Sequence, residues 1–98
     1  MKTKLDVKDL AAKVYLLEVS GDRLLLRWVE PGRCHYGEQR WALVSASRKG
    51  HCILSGRRIK RGDRVFRPRE RPSPGNAAAM ILHDQIMVWL KSIFADVM

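Results

Sequence analysis

Every glycine and proline in this chain lies between residues 21 and 75, and none follows. That punctuation breaks the first three quarters into short runs and leaves one uninterrupted run at the end. Val14–Val19 and Leu24–Val29 are rich in apolar side chains and flank Ser20-Gly21-Asp22-Arg23, a Gly-Asp pair that reads as a hairpin turn. Glu30-Pro31-Gly32 ends the second run and opens a loop holding Arg33-Cys34-His35-Tyr36-Gly37. Gln39–Ala46 reads as a third strand, with Trp41, Leu43 and Ser45 on one face and Ala42 and Val44 on the other. After Ser47-Arg48-Lys49-Gly50, residues 51–68 read as a strand, turns at Ser55-Gly56 and Gly62-Asp63, and a final short strand.

From residue 76 the pattern changes period. Ala79, Leu82, Ile86, Trp89, Leu90, Ile93 and Val97 form one helical stripe, widened by Met80, Met87 and Phe94. Ser73 or Asn76 is the expected N-cap. The fold expected is therefore α+β: a small antiparallel sheet of four to five strands with a C-terminal helix packed on it. Residues 1–98 read as a single domain. Residues 1–12 form an N-terminal segment in which Val7, Leu10, Ala11 and Val14 have the spacing of a short helix. Residues 13–68 form a β-rich core, 69–75 a linker and 76–95 the helix.

The net charge of +9 is unevenly placed. Between Arg48 and Arg71 stand Arg48, Lys49, Arg57, Arg58, Lys60, Arg61, Arg64, Arg67, Arg69 and Arg71, against only Asp63 and Glu70. That quarter of the chain carries nearly all the imbalance, and eight of its ten cations are arginines. Guanidinium forks stay charged and pair bidentately with phosphate oxygens, so an Arg-rich hairpin suits a polyanion. No helix-turn-helix or other named DNA-binding motif is present. The function expected is a non-enzymatic, regulatory nucleic-acid-binding module that contacts the phosphate backbone of DNA or RNA through those ten residues with little base readout. The alternative is a protein–protein interaction module that docks an acidic partner or sequesters a regulator. A basic run also serves simply as a solvated face.

The pattern Cys52-x-x-Ser55-Gly56-x-x-Ile59-x-x-Gly62-Asp63-x-Val65-x-Arg67-Pro68 resembles the core of a bacterial family of small domains of unknown function. Cys34-His35-Tyr36-Gly37-Glu38-Gln39-x-Trp41 and Asn76-Ala77-x-Ala79-Met80-Ile81-Leu82 are similar to its other marks. The resemblance spans roughly residues 24–83 and implies a shared fold; it brings no activity, cofactor or catalytic residue. More loosely, the central pattern is similar to a zinc-knuckle hairpin that has lost its ligands, because Ser55 stands where a thiolate is needed.

A partial metal site would draw on Cys34, His35, His51, Cys52 and His83. Neighbours in extended chain point to opposite faces, so these supply two ligands, or three with His83, where structural zinc takes four. The reading preferred is that Cys52 is a small buried hydrophobe beside a turn. No cofactor is expected. Cys34-His35 and His83-Asp84 are adjacent pairs that do not converge on one reacting atom, and no phosphate loop or nucleophile elbow is present, so no enzymatic activity is expected. The N-terminus lacks the apolar core of a signal peptide, and no run reaches the roughly 18 apolar residues of a membrane span. A cytoplasmic setting with reduced thiols is expected. The helix's apolar arc covers about half its wheel, against the ~100° usual for a surface helix. A homodimer through Met80, Ile81, Met87, Val88 and Phe94 is the expectation drawn from that width.

Overall fold

The turns marked by glycine and proline are where the chain reverses. The computed structural model describes residues 3–5 and 12–97, and side chains from 12 to 91. Strand β1 (Thr3–Leu5) pairs with β2 (Lys13–Ser20), which pairs with β3 (Arg23–Glu30) across the Gly21-Asp22 turn. Gly21 takes a φ of 56°, the left-handed region that such hairpin turns require. At the next reversal Pro31 and Gly32 occupy the central positions, Gly32 has φ 76°, and the Arg33 N–H donates to the Glu30 carbonyl at 3.0 Å. Proline then glycine at those positions suits a type II turn.

Strand β4 (Cys34–Ser45) begins directly after that turn. The loop expected over Arg33–Gly37 is therefore strand from Cys34 onward. Its pairing with β3 holds through a bulge, where Gly37 and Glu38 both fall between the pairs Trp28↔Tyr36 and Leu26↔Gln39. β5 (Gly50–His51) and β6 (Arg58–Ile59) form a small separate ladder. β7 (Arg64–Pro68) pairs with β4, and β8 (Ile81–Leu82) pairs with β7. The main sheet runs β1-β2-β3-β4-β7-β8, every neighbour antiparallel. Helix α1 spans His83–Val97 and meets chiefly β8 and β7, at one side of the sheet.

The architecture is the expected α+β, with a sheet one or two short strands wider than the sequence suggests. Both additions lie where a helix was expected. Residues 3–5 are strand; the remainder of that expected helix, residues 6–11, falls outside the described residues. The C-terminal helix starts at His83 rather than near Asn76, so neither Ser73 nor Asn76 caps it. Met80, Ile81 and Leu82 are consecutive and all buried. A helix would send three neighbours to directions about 100° apart, which one flank of a surface helix does not cover. As extended chain they have cover on both sides: Met80 lends its carbonyl to the Ile53 N–H, and the Leu82 N–H donates to Cys52 Sγ.

The core lies on one face of the sheet. Val14 and Leu16 from β2, Leu24, Leu26 and Trp28 from β3, and Trp41 from β4 alternate onto it, all buried. Trp28 and Trp41 stack with ring centroids 6.1 Å apart. Phe66, Ile81 and Ile86 extend the core beneath α1, and Ala46, Cys52, Leu54 and Ile59 extend it beneath the β5–β6 ladder.

Candidate nucleic-acid interface

The segment from Cys52 to Asp63 is shaped by its small and polar residues, and its cations are what it displays. The Gly56 N–H donates to the Cys52 carbonyl at 2.8 Å, Gly56 has φ 75°, and Ser55 Oγ accepts from the Arg57 N–H at 3.2 Å. Ile59 is fully buried and pins the far strand. Lys60-Arg61-Gly62-Asp63 then closes a second turn: the Asp63 N–H donates to the Lys60 carbonyl, Asp63 Oδ2 accepts from the Lys60 N–H at 2.9 Å, and Gly62 takes φ 93°. Between these anchors Arg57, Arg58, Lys60 and Arg61 are exposed. Cys52, Gly56, Ile59, Gly62 and Val65 thus act as scaffold for an arginine display.

Arg57, Arg58 and Arg64 line a single groove beside the start of α1, together with Asp63, Leu82, His83 and Asp84. Arg69 and Arg71 border a second recess with Glu70 and Ser73. Lys49 is exposed. Among the described residues the ion pairs are Asp22–Arg23, Glu30–Arg33 and, when the histidine is protonated, His83–Asp84; none involves the basic residues from 48 to 71. The segment's cations thus form no direct ion pair among the described residues, while Asp63, Asp84 and Glu70 stand near them and offset part of the charge.

Two of the ten residues expected to meet phosphate have another task. Arg48 donates to the Ala78 carbonyl at 3.1 Å, and half-buried Arg67 donates to the Ala77 carbonyl at 3.4 Å. Arg33 adds a third such bond, to the Gly75 carbonyl at 3.3 Å. Three guanidiniums thus clasp the backbone of the 75–78 turn, where the sequence suggests the first turn of a helix.

Three polar residues, Gln39, Asn76 and Glu30, are buried, which the sequence reading does not anticipate. Gln39 is fully buried; its Oε1 accepts from Trp41 Nε1 at 2.8 Å and from Asn76 Nδ2 at 3.0 Å, and its Nε2 donates to Asn76 Oδ1 at 2.8 Å. This reciprocal amide pair ties β4 to the 75–78 turn. Glu30, also buried, accepts from Trp28 Nε1, Arg33 and Cys34 Sγ. The Arg33 guanidinium above all, together with the Trp28 and Cys34 hydrogen bonds, holds the Glu30 carboxyl below its ordinary value against the opposing effect of burial. A carboxylate so stabilised contributes stability above the unfolded value of about 4.3 and loses it as the pH falls through the lower native value. Acid unfolding is accordingly expected to set in below about pH 4, and in Glu30→Gln the transition should lose part of its pH dependence in that range. Identical acid profiles for the two chains, by circular dichroism, would contradict this role.

The candidate metal and thiol residues are dispersed. Cys34 lies on the core side of β4 while His35 is exposed on the other; His51 is exposed and Cys52 buried. Burial foremost, with the Glu30 carboxylate next, pushes the Cys34 thiol up, away from thiolate. No group of three or more His, Cys, Asp or Glu side chains able to hold a metal occurs among the described residues. Cys52 Sγ instead accepts the Leu82 N–H at 3.4 Å. Among the described residues no helix is long and apolar enough to cross a membrane.

The expected dimer surface changes most. Met80 and Ile81 are 4% and 0% exposed and belong to the core, so they are not available to a partner. Met87 and Val88 are exposed; the Phe94 side chain lies outside the described residues. Helix α1 starts at His83, so Met80 and Ile81 do not belong to its apolar arc.

No curated protein matches the chain, and no solved structure matches it. Residues 9–88 match a family profile described as a domain of unknown function (DUF3331), and the chain belongs to that family.

Proposed function

We propose that this domain is a non-enzymatic, regulatory nucleic-acid-binding module of the cytoplasm that grips the phosphate backbone. On this proposal the Cys52–Pro68 pattern belongs to a bacterial branch of small proteins. The observation that carries the reading is the exposed run of Arg57, Arg58, Lys60, Arg61 and Arg64, none of which meets a carboxylate partner among the described residues. A protein that clusters unpaired cations stores unfavourable self-repulsion, which a polyanion relieves while releasing its condensed counterions. Arg69, Arg71 and Lys49 extend the surface, whereas Arg48 and Arg67 serve it indirectly by holding the adjoining turn. The reading needs no second copy of the chain.

Binding of a fluorescent oligonucleotide by the native chain and by the triple variant Arg57→Glu, Arg58→Glu, Arg61→Glu tests it. An acidic protein partner is the competing occupant of the same surface; it predicts no oligonucleotide binding at moderate salt and recovery of a protein complex that survives nuclease.

A further inference from the structure

At β7 and β8 adjacent residues are buried on both faces of the sheet, but over β2 and β3 only one face is covered. Along β2 and β3, residues pointing to the core are buried while those between them are half-exposed or exposed. The open face carries Lys13 and Tyr15 from β2, Leu25, Arg27 and Val29 from β3, and Arg40 from β4. Register places Tyr15 beside Arg27 and Leu25 beside Arg40. None of these six is buried, so among the described residues no element packs over this face. It continues past Ala42 to Arg67 on β7, and the backbone of Arg69 bonds that of Arg40, so it adjoins the basic segment already described.

We infer that this open face is a second binding surface, which takes the bases of single-stranded nucleic acid while the arginine hairpin holds phosphates; the inference rests on the function proposed above. Its chemistry is mixed in the way a single strand requires. Unstacked bases bring flat apolar faces to aromatic rings and guanidinium planes, and phosphates bring charge to cations. Tyr15, Leu25 and Val29 are half-buried apolar surface, interleaved with Lys13, Arg27 and Arg40. Eight-residue strands give about 26 Å of length, space for about four nucleotides, at the lower limit of single-strand sites.

Other occupants fit less well. A duplex keeps its bases stacked and gains nothing from an apolar floor. A second copy of the chain would set Lys13, Arg27 and Arg40 against the same cations. Glu18 and Glu38 rim a shallow depression on this face together with Arg23, Leu25 and Arg40; they disfavour phosphate there and leave the apolar floor to the bases.

The experiment measures binding of a single-stranded oligothymidine, an oligouridine and a duplex of equal length by five forms of the full chain: native, Tyr15→Ala, Tyr15→Phe, Arg40→Glu and the triple hairpin variant. Tyr15→Ala should weaken binding of one or both single strands by at least about tenfold and leave duplex binding unchanged, while Tyr15→Phe, which keeps the ring, should bind like the native chain. Arg40→Glu alters an exposed side chain and should also weaken single-strand binding selectively. Oligothymidine against oligouridine separates DNA from RNA. If both Tyr15→Ala and Arg40→Glu bind single strands as the native chain does, or if the native chain binds only duplex, the face is not a base platform, whereas the hairpin reading stands or falls on its own triple variant. Single-strand binding that Tyr15→Ala abolishes and the hairpin substitutions leave intact would keep this inference and remove the hairpin reading.

Discussion

Gln39→Leu should lower the stability of the domain by about 3 kcal/mol or more, a large part of the roughly 5–15 kcal/mol that such domains possess. Leucine occupies a similar volume, so the loss comes from polarity and not from a cavity. It removes both amide groups of a fully buried side chain and strands three partners: Trp41 Nε1, Asn76 Nδ2 and Asn76 Oδ1. Each buried group left without a partner costs about 1–3 kcal/mol. The double variant Gln39→Leu, Asn76→Leu should recover part of the loss, because it removes two of the three stranded atoms along with their cause. Urea unfolding of the single and double variants checks this. A single variant as stable as the native chain would mean that the amide pair does not anchor the 75–78 turn, and the arginine clasp around that turn would need another explanation.

The second large effect concerns binding. Reversing Arg57, Arg58 and Arg61 together should weaken oligonucleotide affinity by at least about 100-fold near physiological salt. Each phosphate left without its arginine takes about one unit off the salt slope, and each glutamate adds repulsion. Melting temperature should hold steady or rise. The three side chains are exposed and their guanidiniums make no hydrogen bond among the described residues; the bonds that shape the turn use the backbone N–H and carbonyl of Arg57. Stable folding without binding is the signature of a surface residue that works on a ligand. Arg48 and Arg67 are unsuited to this test because their bonds to Ala78 and Ala77 mix folding with binding.

The parts of this molecule legible in sequence are those fixed by neighbours. Gly21-Asp22 and Pro31-Gly32 dictate reversals locally, and the alternation of Leu24, Leu26 and Trp28 shows which side of β3 is buried. The errors share one cause, which is contact with distant residues. Cys34–Gly37 has the glycine and polar content of a loop, yet β3 offers it a ladder that only the folded hairpin supplies. Met80–Leu82 has a helix-like approach, yet β7 and Cys52 claim it as an edge strand. Gln39 and Asn76 stand 37 positions apart, so nothing local marks them as partners. Gln39 does carry one usable sign: it lies two residues before Trp41 on a strand, which places it on the buried face. The arginine display is visible as composition, but the division between clasping arginines and free ones is not. The open basic face of the sheet is hidden for the same reason, because Lys13, Arg27 and Arg40 are far apart in the chain and come together only through register.

The claim on which the function depends is that the unpaired arginines of residues 57–71 meet phosphate. It is tested most directly by titrating a labelled oligonucleotide with the native chain from about 50 to about 200 mM salt. Engagement of about five phosphates predicts a slope of log affinity against log salt near about −4.5, which is a loss of a few hundredfold across that range. Affinity that stays flat with salt, or no binding at the lowest salt, would contradict the account.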